Sequence, residues 1–535
     1  MKLKRGFFLL LVLIGLAIVI AACNGDDGGE ADGGTDDGTD TDSNGSEEVQ
    51  TGGTLNIALN AQPPTLDPHM STATATRDTS RLVFESLMVL NSSYEPVPFL
   101  AEEVENEDNQ KFTFHLREGI LFHNGEEMTA EDVVASMNRW KDLDPRAQKY
   151  LGEDTVFEEV DEYTVVLELD TPTPLALGVI ARNGQHAGII PKEIVESAGP
   201  DGITEYIGTG PFEFVEWAQD NYIHFQKFDD YQPLDEEPDG LGGRREALVD
   251  EIYFYIAPDS STRLAGIQSG EYDLAYQLPF DSYQQLMATD LQVKPSLAGN
   301  MVLHYNSADG LFADPLMRQA VNAALDIDEI LEASLVESEI YTSGPEHMEA
   351  ENVQWATTAG EEYYNQNDEE LAKQLLEEAG YDGEEVKIVT TRDYQHYYDS
   401  SVVIQQQLEG LGMNVSLEVY DWPSLTELVQ DESAWHMRVN GYTFTPDPTQ
   451  ILYLNPETYG IGHDDHAVSL MAEIEQAETP EEASAKWEEM QEYIWSDWLP
   501  VTKLGSYSHL YVMADYVDGF VYSHGGNFWN ISVNK

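Results

Sequence analysis

The feature that most constrains this chain is a stretch of about 485 residues, from Thr51 to Lys535, with no cysteine and no low-complexity linker. A single hydrophobic core stops growing at roughly 250–300 residues, so at least two lobes are expected. Because no linker separates them, the chain is expected to cross between the lobes more than once. Without cysteine, this stretch has no disulfide, no thiol nucleophile and no zinc site built on sulfur.

The only cysteine, Cys23, follows a charged and then apolar start. Lys2, Lys4 and Arg5 precede 16 apolar residues, FFLLLVLIGLAIVIAA. This order is typical of a secretory signal peptide, predicted at 1–22. The run is short for a membrane-spanning helix, which needs about 20 apolar residues, although an uncleaved signal anchor is the alternative.

The tetrapeptide before and at the cysteine, IAAC, resembles a bacterial lipobox. The resemblance implies that Cys23 receives a diacylglycerol on its sulfur, becomes the new N-terminus and is acylated again. Two chains hold a protein firmly to a bilayer, whereas one holds it weakly. The segment that follows is almost entirely Gly, Asp, Ser and Thr, so 23–51 is predicted to be a lipidated cysteine and a disordered acidic tether.

The acidic excess continues through the rest of the chain. Of 99 acidic and 26 basic residues, 10 acids lie in the tether and 3 bases in the leader, which leaves 89 against 23 and a net charge of −66 for 51–535. Such a charge repels nucleic acid and anionic membrane surfaces. Molar salt screens it, so we interpret the protein as extracytoplasmic and exposed to high salinity. A surface adapted to cationic ligands is the alternative, and the two are compatible.

The hydrophobic periodicity predicts a mixture of strands and helices. Apolar residues alternate in TLNIALN and KFTFHLRE, as in strands, and Thr129 to Asp132 resembles a capping box before a helix that reaches about Trp140. VKIVT, Val402–Leu411 and NVSLEV read as strand, helix and strand. A βαβ unit of this length implies a parallel strand pair, so the fold class is α/β.

A series of segments from about residue 52 to the end resembles the extracellular solute-binding proteins of family 5, which serve peptide and nickel ABC importers. The matching segments, in order, are GGTLNIALNAQPPTLDPHMS, FTFHLREGILFHNGEEMTAEDVVASMNRW, GTGPFEFVEW, IQSGEYDLAY, FADPLMRQAVNAALDIDEI, LAKQLLEEAGYDG and FVYSHGGNFWN. None of these segments is a catalytic signature, but together they are highly specific for this family.

The resemblance implies a two-lobed clamp of the periplasmic-binding-protein type II class. Lobe I is expected from 52–92, 190–296 and 500–535, with an extra subdomain at 93–189, and lobe II from 297–499. The ligand is held between lobes that close by a hinge motion.

The resemblance also implies ligand-binding positions near the end of lobe II. In peptide-binding relatives an Asp in this stretch pairs with the peptide amine, and the matching position here is Phe444. Phenylalanine offers only a cation–π contact in its place. Asp447 is either a substitute or part of a turn. Tyr442 and Thr443 belong to the same stretch.

A second set of positions follows a lobe II strand. Dipeptide-binding relatives place there an Arg that takes the peptide carboxylate, and Arg392 occupies this place, although a surface ion pair is an equal alternative. Trp422 matches an aromatic near the cleft, with core packing as its alternative. Tyr394 is a further candidate of the same kind.

Other function classes find less support. His463 and His466 are the candidates for a nickel carrier, since imidazole suits nickel, but two histidines in an acidic loop are more typical of solvated residues. No nucleophile elbow, zinc-protease motif or phosphate loop indicates an enzyme. A surface peptide sensor with the same clamp would differ only in its partner.

The sequence therefore predicts a lipid-anchored solute-binding protein on the outer face of the cell membrane. It would capture a peptide or peptide-like solute and deliver it to an ABC permease with its ATPases. We expect a monomer that has no cofactor, metal or catalytic residue and does not bind nucleic acid.

Overall fold

The computed structural model describes residues 51–535. The predicted signal peptide, the lipidation of Cys23 and nearly all of the acidic tether lie outside the described residues. The helices are α1 (Thr74–Ser80), α2 (Ala130–Leu143), α3 (Pro145–Leu151), α4 (Ala176–Ile180), α5 (Lys192–Ser197), α6 (Ser260–Ser269), α7 (Tyr283–Met287), α8 (Pro315–Ala324), α9 (Ile327–Leu335), α10 (Glu369–Glu378), α11 (Gln395–Leu411), α12 (Trp422–Leu428), α13 (Asp465–Glu475) and α14 (Pro480–Tyr493).

The strands occur along the whole described chain. They are β1 (Thr54–Leu59), β2 (Met88–Leu90), β3 (Pro96–Pro98), β4 (Ala101–Glu107), β5 (Lys111–Leu116), β6 (Phe157–Asp161), β7 (Thr164–Glu168), β8 (Phe212–Ala218), β9 (Tyr222–Lys227), β10 (Glu251–Ile256), β11 (Leu274–Leu278), β12 (Gln292–Tyr305), β13 (Tyr341–Thr342), β14 (Glu385–Thr391), β15 (Asn414–Tyr420), β16 (Met437–Thr443), β17 (Val501–Met513), β18 (Val517–Asp518), β19 (Val521–Tyr522), β20 (Gly526–Asn527) and β21 (Ser532–Val533).

One mixed sheet runs through the molecule in the order β15-β14-β16-β12-β17-β11-β1-β10-β9-β8, with β13 added to β17. β1 pairs in parallel with β10 and β11, and β14 pairs in parallel with β15 and β16. The two long strands β12 and β17 pair antiparallel at the centre of this order. They connect the part of the sheet built on β1 with the part built on β14.

Two large hydrophobic cores pack against this sheet. In β1, Leu55, Ile57 and Leu59 belong to the first core, whereas Ala58 belongs to the second. This follows from the two-residue period of a strand, which sends successive side chains to opposite faces. The second core also contains apolar residues of α8, α9, α11, β14 and β16. The fold is therefore mixed α/β with two principal cores, as the sequence predicts.

The elements expected from periodicity are confirmed, and the bounds of two helices differ from the prediction. β14 and β15 pair in parallel around α11, as a βαβ unit requires. α11 begins at Gln395, seven residues before its predicted start. Tyr397, Ser400 and Ser401 lie on its buried face, and because the two serines are polar, the apolar pattern does not show this part of the helix. α2 ends at Leu143, three residues beyond Trp140, and the Asp132 carboxylate accepts the Thr129 N–H at 3.0 Å.

A separate four-stranded antiparallel sheet has the order β4-β5-β7-β6. It lies within the range predicted as the extra subdomain, and α2 packs against it. Among the residues that the structure describes, no helix is both long enough and apolar enough to span a bilayer.

Candidate functional site

A cavity of about 460 Å³ is lined by segments that are far apart in the sequence. Arg77 of α1, Tyr94 and the 521–525 segment line one side, and Glu349 and Phe444 line the other. Residues 295–298 of β12 also line the cavity. Both predicted lobes thus contribute to the lining, with the strand that links the two parts of the sheet between them.

The segment that presents Glu349 is fixed by its buried neighbours. His347 and Met348 are buried, and the His347 carbonyl accepts a hydrogen bond from Asn300 Nδ2 at 2.7 Å. Asn352, also buried, donates from Nδ2 to the Pro446 carbonyl at 2.8 Å. Glu349 is therefore held beside the stretch that carries Phe444.

Tyr94 reaches Glu349 from the opposite side of the cavity, and its hydroxyl donates to Glu349 Oε2. The Tyr94 ring also packs edge-on against His524, with ring centroids 4.2 Å apart. Burial, with the neighbouring Glu351 charge, raises the pKa of Glu349 to about 7. This carboxyl therefore keeps its proton to a higher pH than an exposed glutamate does.

The positive charge in the cavity comes from Arg77. Its Nε donates to Asp78 at 2.6 Å, and this ion pair raises the Arg77 pKa despite burial. Burial lowers the pKa of His509 and of His524 to about 4, so both imidazoles are neutral at pH 7. The lining is therefore not positively charged overall.

Two of the predicted ligand positions, Thr443 and Phe444, line this cavity. Tyr442, the residue before them in β16, points away to form a hydrogen bond of 3.1 Å between its hydroxyl and His304 Nδ1. Its ring packs on Tyr453 at 5.0 Å. The alternation along the strand thus separates Tyr442 from Thr443.

Arg392, Tyr394 and Trp422 form a second group outside the lining of this cavity. Arg392 donates to the Tyr398 hydroxyl at 2.7 Å and lies 4.3 Å from the centre of that ring. Tyr394 and Trp422 pack edge to face at 4.9 Å. Arg392 precedes α11, and it is held by a tyrosine of that helix and not by the acidic residue expected in the alternative interpretation.

Asp447 is buried and its carboxylate is occupied by its own turn. It accepts hydrogen bonds from the Thr449 N–H at 3.0 Å, the Thr449 hydroxyl and Gln450 Nε2 at 2.5 Å. This geometry matches the turn alternative. It leaves little of the carboxylate for an amine.

The residues missed at the sequence level are Arg77, Tyr94, Glu349 and Glu351. Nothing in the local pattern of HMEAENVQW separates Glu349 from the other acids of an acidic chain. Its special environment depends on Tyr94, 255 positions away. A composition-based signal could not have identified it.

The histidines considered for nickel lie elsewhere, on the surface near the start of α13. His463 contacts Asp465 at 3.0 Å, and both side chains are largely exposed. His466 packs against Tyr493. Within residues 51–535, no group of three or more His, Cys, Asp or Glu side chains has the arrangement of a metal site.

Known proteins are similar to this chain in sequence and in fold. A probable peptide ABC transporter periplasmic-binding protein of Sinorhizobium fredii is 28% identical over 82% of this chain and 86% of its own length. The oligopeptide-binding protein AppA of Bacillus subtilis is 25% identical over 99% of this chain and 98% of its own.

Solved structures agree with these relatives in fold. The ABC transporter substrate-binding protein CtaP of Listeria monocytogenes matches with a TM-score of 0.78 and 22% identity over 88% of this chain and 96% of its own. AppA of Bacillus subtilis in complex with a nonapeptide matches with a TM-score of 0.70 and 22% identity, over 91% of this chain and all of its own. The fold is that of two-lobed periplasmic binding proteins.

The family model described as bacterial extracellular solute-binding proteins, family 5, matches residues 95–462. Because this match spans more than half of the chain, the protein belongs to the extracellular solute-binding proteins of family 5.

Proposed function

We propose that this protein is a lipid-anchored solute-binding protein that captures a peptide or peptide-like solute and delivers it to the permease of an ABC importer. The observation that carries the proposal is the cavity of about 460 Å³ lined from both sides of the molecule. Sites for small ligands typically measure about 300–1,000 Å³. Two relatives named for peptide transport or peptide binding support a peptide as the solute.

The solute is bound by closure of two lobes in this proposal. The predicted boundaries, with lobe I at 52–92, 190–296 and 500–535, its subdomain at 93–189 and lobe II at 297–499, stay a prediction. Contacts between residues of the predicted subdomain and lobe II support a closed state. Lys149 Nζ lies 2.6 Å from Glu475 Oε1, and Asn109 Nδ2 donates to the Glu478 carbonyl at 3.1 Å.

The proposal assigns binding and release to the protein and no covalent chemistry. The family consists of solute-binding proteins and not of enzymes. Thr443 and Phe444 are proposed to contact the solute, since they line the cavity. Arg392, Tyr394 and Trp422 would contact only a solute that extends beyond it.

Attachment to the outer face of the membrane is proposed through Cys23. Cells expressing the full chain are labelled with an alkyne analogue of palmitate. We expect the label on the wild-type protein and none on the Cys23→Ser variant. Equal labelling of both proteins would contradict the lipid anchor, and would leave solute capture untouched.

The test of solute capture is native mass spectrometry of the protein without residues 1–23, purified in molar salt. Spectra are taken before and after denaturation, so that a retained ligand is weighed. A series of peptide masses is the expected result. A single non-peptide mass would reassign the solute. An empty protein that shows no thermal shift with a tripeptide library would reject peptide capture.

A further inference from the structure

The cavity holds a partly buried carboxylate without a cationic partner. Burial is the main cause of the raised Glu349 pKa, and Glu351 adds a like charge. Arg77 is the only Lys or Arg in the lining formed by residues 51–535, and Asp78 already balances its charge. A buried carboxylate is costly unless a partner compensates it. The described residues give Glu349 a hydrogen bond from Tyr94 but no counter-charge.

Glu349 differs from the solvated acids that cover this protein. It is partly shielded from water, and its segment is anchored through His347, Met348 and Asn352. A carboxylate that only adds to the surface charge is most stable in solvent, because hydration and salt screening act at the surface. Partial burial would give such a residue no advantage. The placement of Glu349 therefore indicates a local role.

The surroundings of Glu349 suit a compact cation. Phe444 and Tyr94 line the same cavity, and both supply aromatic rings. A cation within about 6 Å of a ring face is attracted by the negative face of the aromatic ring. Glu351 stands beside Glu349, so a second carboxylate adds to the attraction.

We propose that Glu349, seated beside Phe444 and hydrogen-bonded by Tyr94 from the opposite side of the cavity, receives a primary ammonium group of the bound solute. The proposal rests on the proposed capture of a peptide. The ammonium is either the peptide N-terminus or a lysine side chain. Tyr94 is a positioning residue, since its hydroxyl orients the carboxylate.

A pH dependence follows from the same contacts. Below pH 7 the Glu349 carboxyl is increasingly protonated, so it loses its attraction for an ammonium group. His509 and His524 stay neutral through this range, and Arg77 stays charged. Glu351 is the other carboxylate facing the group. Affinity for an ammonium ligand should therefore rise between pH 5.5 and pH 8, and affinity for an acetylated ligand should not.

A simpler role must be separated from this one. Glu349 and Tyr94 could act solely as a contact that keeps the molecule closed. In that case their loss would weaken every ligand equally. Glu475 supplies the matched control, because its contacts with Lys149 and Tyr150 also join the two sides but lie outside the cavity lining.

The test uses random tripeptide libraries in three forms: with a free N-terminus and no lysine, N-acetylated without lysine, and N-acetylated with lysine. Retained peptides are quantified by mass spectrometry at pH 8 in molar salt. We expect the wild type to prefer ammonium-bearing forms over the acetylated lysine-free form by at least tenfold. Enrichment of the peptides with a free N-terminus identifies the N-terminus as the source of the ammonium, and enrichment of the acetylated peptides with lysine identifies the lysine side chain.

The variants decide the assignment. Glu349→Gln should bind all forms within about twofold of one another, whereas Glu349→Asp should keep part of the preference. Tyr94→Phe and Glu475→Gln should lower retention without removing the preference. If Glu349→Gln keeps the tenfold preference, the ammonium site is elsewhere, while peptide capture stands. If the wild type retains no peptide in any form, the proposed function fails, and this proposal fails with it.

Discussion

At the residue scale, Glu349 couples stability to pH in the unliganded protein. Its pKa of about 7 lies above the ordinary value of 4.5, so the folded state binds the proton more tightly than the unfolded state. Its contribution is complete below pH 4.5 and is lost as the pH rises through 7. Between pH 5 and pH 8, we expect the free energy of unfolding to fall by about 2–3 kcal/mol more in the wild type than in Glu349→Gln.

Urea unfolding of the wild type and Glu349→Gln at pH 5 and pH 8, in molar salt, measures this difference. Comparing the pH-dependent change in unfolding free energy between the two proteins cancels the contributions of the other titrating groups. Equal pH dependence in both proteins would contradict the raised pKa.

Asp447 provides a second test at this scale. Since its carboxylate accepts three hydrogen bonds inside one turn, Asp447→Ala should cost about 1–3 kcal/mol of stability. The exposed Asp201→Ala serves as the control and should change stability by less than about 0.5 kcal/mol. Thermal unfolding of both variants measures the effect. A neutral Asp447→Ala would show that the turn does not depend on the carboxylate.

The residues of the candidate site could be predicted only in part. Thr443 and Phe444 were identified through the resemblance to family 5, and both line the cavity. The same comparison with the family also selected Tyr442 and Arg392, whose side chains form hydrogen bonds with His304 and Tyr398. Side-chain direction and long-range partners decide such cases, and neither is visible in a local pattern. Ligand contact by these residues stays a prediction.

At the scale of the elements, β12 and β16 approach each other closely beside the cavity. A Cβ on Gly299 would lie 2.0 Å from the Tyr442 carbonyl oxygen, so the two strands would have to separate. We expect Gly299→Ala to cost at least about 2 kcal/mol, because overpacking against backbone cannot relax through a rotamer.

Gly178 in α4 is the matched control, since a Cβ there would meet nothing within 4 Å. Gly178→Ala should be neutral or stabilising by up to about 1 kcal/mol, as expected of Ala in a helix. Both variants are compared by thermal unfolding in molar salt. A Gly299→Ala variant as stable as Gly178→Ala would contradict the close packing.

Strands whose apolar and polar residues alternate were predictable from the pattern, and the long central strand β17 was not. β1 and β5 alternate between apolar and polar residues, and their periodicity identified them. β17 is buried along nearly all of its 13 residues, and Ser506 and Ser508 interrupt its apolar sequence. Without alternation, neither its length nor its central place in the sheet can be predicted from the pattern.

At the scale of the whole molecule, the length of the chain and the absence of a linker constrained the fold. The two principal cores on one continuous sheet agree with the expectation of lobes that no linker separates. The order of the strands depends on pairings such as β1 with β10, nearly 200 residues apart. Those pairings come from tertiary packing, so composition and length predicted the existence of lobes but not the sheet order.

The net charge of −66 over 51–535 leads to the last prediction. The Debye length falls from about 10 Å at 0.1 M salt to about 3 Å at 1 M, so added salt removes repulsion that the compact state suffers more than the unfolded chain. We expect the thermal midpoint of the protein without residues 1–23 to rise steeply with NaCl up to about 1 M, and then to level.

Titration with NaCl at pH 8, followed by scanning calorimetry, measures this rise. At pH 4, where many carboxylates are protonated, the same titration should be markedly shallower, because less charge remains to be screened. Sucrose, which stabilises proteins by exclusion and not by screening, should give a gradual rise without a plateau. If the midpoint is flat in NaCl, or equally steep at both pH values, the acidic surface is not adapted to salt.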